Sequence, residues 1–168
     1  MRNKFLAVYA TLDKTTQTKL NNFQQLLAEN NLFGTQTSDI PYHITLGSFP
    51  LDMKSELKNL IKKESTLLSS FDIDLVKINH FKNKVIFIEP QINDQLLNLQ
   101  KIFNGNYADN YDWTPHITLF CGKWLKCKKA KKLIENNFSP FTATITSIQL
   151  AEFFPTKIIL NQPLPPTI

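Results

Sequence analysis

The tetrapeptide His-Ile-Thr-Leu occurs twice, at His43-Ile44-Thr45-Leu46 and at His116-Ile117-Thr118-Leu119, about seventy residues apart. Alternate side chains of an extended strand face opposite sides. Each copy therefore predicts a strand that turns Ile and Leu into a core. His and Thr then stand together on the other face, about 7 Å apart at ordinary strand rise. A lone His on a strand is most often a hydrogen-bonded structural residue, and a lone His-x-Thr is a weak motif. Recurrence of all four residues is a stronger signal: the chain must place two like strands in two like surroundings.

The patterns flanking the copies support this. Apolar and aromatic runs predict strands at 4–10, 42–49, 71–81, 85–88, 116–121, 141–153 and 157–160. Helical spacing predicts helices at 14–30, 53–68, 92–103 and 127–137, the first of them stopped by Gly34. Strands and helices recur in similar order around each tetrapeptide, although little residue identity extends beyond them. The expected class is α+β, with residues 1–168 forming a single domain. Its two pseudo-symmetric lobes would each be an antiparallel sheet with flanking helices, around a central cleft.

Two histidines facing one cleft supply what phosphodiester cleavage needs. A neutral imidazole deprotonates water or a hydroxyl, and an imidazolium protonates the leaving oxygen; both forms are accessible near neutrality. Thr45 and Thr118 are placed to hydrogen-bond non-bridging phosphoryl oxygens. His43 and His116 are thus the candidate catalytic pair. Gly47 and Gly122, near the ends of these strands, would let a ligand approach the backbone. No carboxylate accompanies either His in its strand and no His-Glu-x-x-His run occurs, so neither a metal nor a cofactor is expected.

Further substrate contacts are expected from the neighbours. Tyr9, in phase with Phe5 and Ala7, is a candidate for the cleft floor. Tyr42 and Trp113 flank the motifs and Phe120 falls on the histidine face, so each is a candidate to stack on a base, with core packing the competing role. Lys123 is a candidate anion contact. It opens a basic run with Lys126, Lys128, Lys129, Lys131 and Lys132, which is more often a solvated helix face but would guide anions toward the cleft. His80, before the turn Lys82-Asn83-Lys84, is expected to be structural or solvent-facing.

The formal charge of +5 favours an anionic partner. Arg2 is the only arginine, which excludes a base-reading DNA-binding module built on bidentate clamps and tilts the substrate toward something small or end-recognised. Cys121 and Cys127 fit neither a zinc knuckle nor a disulfide framework, as expected of a reducing cytoplasm. No apolar run approaches the length of a membrane span, and the short apolar stretch from Phe5 lacks a signal-peptide cleavage site.

Paired His-x-[Ser/Thr]-hydrophobic motifs at this spacing resemble the two-histidine (2H) phosphoesterase superfamily, and within it the bacterial 2'-5' RNA ligase and RNA 2',3'-cyclic phosphodiesterase group. The resemblance covers nearly the whole chain but rests on the two tetrapeptides. It implies a bilobal fold with both motifs lining a cleft. It also implies metal-independent hydrolysis of a cyclic phosphate, leaving a 2'-phosphate, with His43, Thr45, His116 and Thr118 as the site. The partners implied are RNA ends or small nucleotides carrying a cyclic phosphate or a 2'-5' linkage, met by a cytoplasmic monomer. Competing readings are a non-catalytic RNA-end binding module, a metal-dependent hydrolase, and a 2'-5' RNA ligase running the reverse reaction. Which histidine is acid and which is base stays open.

Overall fold

The computed structural model describes residues 3–106 and 112–167, which leaves Arg2 outside the described residues. Its elements run β1 (Phe5–Leu12), α1 (Lys14–Glu29), β2 (His43–Phe49), a single 3-10 turn at Leu51–Met53, α2 (Lys54–Ser65), β3 (Phe71–Phe81) and β4 (Val85–Pro90). After these come α3 (Asp94–Ile102), β5 (Gly105–Asn106), β6 (Ile117–Cys121), α4 (Trp124–Asn137), β7 (Phe141–Phe153) and β8 (Lys157–Pro163).

Local chemistry accounts for the helix ends. The Asp13 carboxylate accepts from the Thr16 amide at 2.8 Å and starts α1; the Asn93 side chain does the same for α3 through the Leu96 amide, also at 2.8 Å. The chain leaves α1 through Asn31, whose φ of 56° puts it in the left-handed region that Asn tolerates. Asn31 therefore takes the stop expected of Gly34. Gly34 serves a different contact, since a Cβ there would lie 2.9 Å from the Cys121 carbonyl oxygen.

The strands form one eight-stranded sheet in the order β5-β2-β1-β7-β3-β4-β6, with β8 also on β7. The α+β class and the antiparallel pairing are as expected, apart from one parallel pair, β2 with β5. The two halves do not make separate sheets. Each half runs strand-helix-strand-helix-strand (β1-α1-β2-α2-β3, then β4-α3-β6-α4-β7), and each gives its last strand to the other half's first. Strand β7 pairs with β1 and β3 pairs with β4, and β7 also carries β3 along its first residues, which joins the sheet into one.

Both motif strands carry a bulge at the same place. Val8 pairs with Gly47 and Tyr9 with Thr45, leaving Leu46 as the extra residue; Ile86 pairs with Phe120 and Phe87 with Thr118, leaving Leu119. The final Leu of each tetrapeptide is thus the bulge residue. This makes Tyr9 and Phe87 counterparts, and β1 and β4 equivalent strands.

All four helices lie against one face of the sheet. Leu20 and Leu27 of α1, Leu57 and Ile61 of α2, Leu96 and Leu99 of α3, and Cys127, Ala130 and Ile134 of α4 share one buried cluster with Ile44, Leu46, Ile117 and Leu119. Each large apolar side chain among them, fully buried, contributes roughly 1.5–3 kcal/mol. The opposite face of β1 and β7 holds a smaller cluster of Ala7, Tyr9, Ala151 and Phe153. Burial of Ile and Leu beneath the motifs leaves His and Thr on that second face.

Candidate active site

His43 opens β2 and His116 immediately precedes β6. Their imidazoles are held alike. His43 Nδ1 lies 2.8 Å from the Pro41 carbonyl oxygen, and His116 Nδ1 lies 2.8 Å from that of Thr114, two residues upstream in each case. A carbonyl only accepts, so Nδ1 carries the proton in both rings. In the neutral imidazole Nε2 is then the lone-pair nitrogen. Thr45 and Thr118, each half-buried, follow one step along the same face.

One bond ties the segment before β6 to β2, and another ties β6 to α1. Trp113 Nε1 donates to the Thr45 carbonyl oxygen at 2.8 Å, and Gln24 of α1 donates through Nε2 to the Leu119 carbonyl oxygen at 2.6 Å. A charge on His116 is near enough to disfavour protonation of His43. That influence is secondary. Burial is the main cause pushing the His43 pKa down to about 4, against a partly restoring bond to Pro41. His43 is therefore neutral throughout the physiological range.

The two rings rest on different seats. His43 lies on Tyr9, with ring centres 4.5 Å apart. Thr11, opposite His43 in the ladder, bonds to Ser147 on β7. His116 meets Phe81 edge-on at 4.9 Å and Phe87 at 5.4 Å. Glu89 follows Phe87 on the same face, where Thr11 follows Tyr9 in the other half. Its carboxylate accepts from Asn79 Nδ2 at 2.8 Å and faces Lys77 at 3.5 Å. His43 thus sits beside neutral hydroxyls, whereas His116 packs against β4, the strand that carries the Glu89 carboxylate.

The Tyr9 ring packs against His43. Tyr9 is fully buried, its hydroxyl has no hydrogen-bond partner among the described residues, and burial pushes its pKa up to about 12. Tyr42 packs against the main core. Its hydroxyl donates to the Leu20 carbonyl oxygen at 3.3 Å, and Gln17 holds its main chain on both sides. Trp113 is engaged through its indole nitrogen, as above.

Phe120 does not share the histidine face. It is fully buried in the main core, because the bulge at Leu119 reverses the alternation behind it. Lys123 is exposed beyond the far end of β6, where Gly122 donates to the Lys84 carbonyl oxygen at 3.0 Å. Five residues of strand, about 16 Å, separate His116 from Cys121, so Lys123 stands away from the imidazoles. Neither motif glycine opens the backbone to a ligand. A Cβ at Gly47 would lie 2.3 Å from the Phe103 carbonyl oxygen, so that glycine admits β5; at Gly122 it would meet the Phe120 ring at 2.9 Å.

The seats Phe81, Phe87, Thr11, Ser147 and Glu89 carry no motif of their own in the sequence. Aligning Val8-Tyr9-Ala10-Thr11 with Ile86-Phe87-Ile88-Glu89, as the matching bulges do, is the signal that finds three of them. The two cysteines are free, and burial pushes both thiols up, away from nucleophilic use. Among the described residues no group of three or more His, Cys, Asp or Glu stands together as a metal would require. No described helix is long and apolar enough to cross a membrane.

Solved structures share this fold at low sequence identity. TT0787 of Thermus thermophilus superimposes with a TM-score of 0.66 at 14% identity, covering 98% of this chain and 100% of that one. E. coli LigT complexed with phosphate gives 0.61 at 14% identity over 96% and 98%. The same protein complexed with 3'-AMP gives 0.58 at 14% over 97% and 99%. A sequence search of curated proteins finds no match. The family model of the 2'-5' RNA ligase superfamily matches residues 14–153, a span that contains both motifs, and the chain belongs to that superfamily.

Proposed function

We propose that the protein is a metal-independent phosphodiesterase that opens 2',3'-cyclic phosphates, on RNA ends or small nucleotides, or cleaves 2'-5' linkages. The observation that carries this reading is the identical anchoring of His43 and His116, each by Nδ1 to a main-chain oxygen two residues back. The arrangement suits proton transfer at two Nε2 atoms. The phosphate and 3'-AMP bound to the similarly folded LigT are ligands of the class this site would take.

His43, neutral at physiological pH, serves as the base and His116 as the acid. Nε2 of His43 takes a proton from water as the water oxygen bonds to phosphorus. The bond from phosphorus to the 3'-oxygen breaks, and His116 Nε2 protonates that oxygen, leaving a 2'-phosphate. Thr45 and Thr118 hydrogen-bond the non-bridging oxygens as charge develops. The two unpaired cysteines support a cytoplasmic setting, and no step needs a second copy of the chain.

The test is turnover of 2',3'-cyclic AMP, a 2'-5' dinucleotide and a cyclic-phosphate-ended oligoribonucleotide, by the intact protein and by His43→Ala and His116→Ala. Each variant should lose at least about a hundredfold in kcat while staying folded. Activity should survive EDTA. Near-normal turnover by either variant, or a zinc-reversible loss in EDTA, would overturn the scheme.

A further inference from the structure

A second concave surface lies on the helix-covered side of the β3–β4 hairpin. It encloses about 500 Å³ and is lined by His80, Asn83, Trp124, Lys128, Lys131, Lys132 and the single acid Glu135. Trp124 is 53% exposed, an unusual cost for the largest aromatic side chain unless something covers it. The Lys128 ammonium stands 5.7 Å from its ring centre, within cation–π range. Lys131 is engaged by Glu135 at 2.8 Å, which leaves Lys128 and Lys132 as the groove's cations.

The groove and the histidine cleft share one hairpin. Phe81 touches His116, whereas His80, the preceding residue, faces the groove. Beyond them lies the tip, where Lys82 and Asn83 take left-handed φ values of 47° and 52° and where Lys82 and Lys84 are exposed. The Lys84 carbonyl oxygen accepts from Gly122, so the tip abuts the start of α4. A basic path therefore leads from His116, over Lys82 and Lys84, to Trp124, Lys128 and Lys132.

We infer that this groove binds the body of a single-stranded RNA, a base stacked on Trp124 and phosphates on Lys128 and Lys132, some nucleotides away from an end held at the histidines. Exposed aromatic surface interleaved with lysine is how sequence-indifferent single-strand sites are made. A strand that reaches both places spans most of β6, about 16 Å or more, so a mononucleotide or dinucleotide held at the histidines does not reach the groove. The choice of RNA rests on the reading of the cleft given above; the groove itself does not.

Two measurements separate these claims. Binding of a 5'-labelled single-stranded oligoribonucleotide of about ten nucleotides, ending in a 3'-phosphate, is followed by fluorescence anisotropy over a salt series. Trp124→Ala should weaken it about fivefold or more. Lys128→Gln with Lys132→Gln should lower the salt slope by about 1.4. Turnover of 2',3'-cyclic AMP by the same variants should stay within about twofold of the parent. Unchanged oligomer binding by Trp124→Ala overturns the groove, and so does an equal loss for base-free polyphosphate. If no cyclic phosphate is turned over yet oligomer binding still depends on Trp124, the cleft reading falls and the groove stands.

Discussion

The indole nitrogen of Trp113 and the main-chain oxygen of Thr45 meet at 2.8 Å, a bond that joins the segment leading into one motif to the strand of the other. Histidines on separate strands can act on one phosphorus only if that separation is held. The Trp113–Thr45 bond resists its opening, while Gln24 holds β6 to α1 through the Leu119 carbonyl oxygen.

Trp113→Phe should therefore affect catalysis beyond its effect on folding. Losing the donor leaves the Thr45 carbonyl short of a partner, at a cost of about 1–3 kcal/mol in denaturant unfolding. A displacement of about 1 Å between the imidazoles can cost up to a hundredfold, so kcat should fall at least about tenfold. The same stability loss with an unaltered kcat would show that the bond braces the fold alone.

The sequence was most informative where a strand is long and rich in apolar residues. Residues 71–81, read from alternation, and 141–153 are the bounds of β3 and β7, although β3 carries an irregularity at Val76 against β4 and β7 one at Thr146 against β1. The same alternation separated Ile44 and Ile117 from His43 and His116. It failed one residue after Leu119, because a bulge adds a residue without leaving a mark in the local pattern. β5 was illegible for a related reason: two residues pair in parallel with β2 only because Gly47 has no Cβ. Phe87 and Phe81 read as ordinary apolar strand residues. Their place beneath His116 emerges only from the pairing of β4 with β3 and β6. The exchange of last strands between halves is a long-range choice, invisible to any local period.

The depressed pKa of His43 makes a pH prediction with a definite sign. The unfolded chain takes up this proton near pH 6.5, whereas the folded protein resists it until about pH 4. Above pH 6.5 neither state is charged and the full stability is present. As pH falls from 6.5 to 4 the unfolded state alone gains a proton, and stability drops, by about a few kcal/mol at most. Below 4 this contribution changes no further. Unfolding midpoints of the parent and His43→Gln, taken from about pH 7.5 to 4, should diverge across that window. In kinetics the acid limb of kcat/KM should lie near pH 4; a limb at 6.5 would remove His43 as the base.

Tyr9 separates packing from chemistry. Its ring supports His43 at 4.5 Å, but its hydroxyl is buried without a partner among the described residues, which costs stability rather than adding it. Tyr9→Phe keeps the ring and should leave unfolding free energy unchanged or raise it by about 1 kcal/mol, with turnover within about twofold. Tyr9→Ala removes the seat and should lower kcat sharply. A marked stability loss in Tyr9→Phe would mean that the hydroxyl is satisfied in solution.

Phe120 is a further case in which the two readings give opposite results. A base-stacking phenylalanine would be dispensable for folding and would raise KM when removed. In the structure it is wholly buried in the main core cluster, which also holds Ile86, Leu119 and the buried residues of α4, and it follows the bulge residue Leu119. Phe120→Ala should therefore cost about 3–5 kcal/mol in denaturant unfolding. Phe120→Leu, which keeps most of the volume, should restore much of that stability and bring kcat back with it. A variant that folds as firmly as the parent and is defective only in KM would return Phe120 to the cleft and would require the Leu119 bulge to be absent in solution.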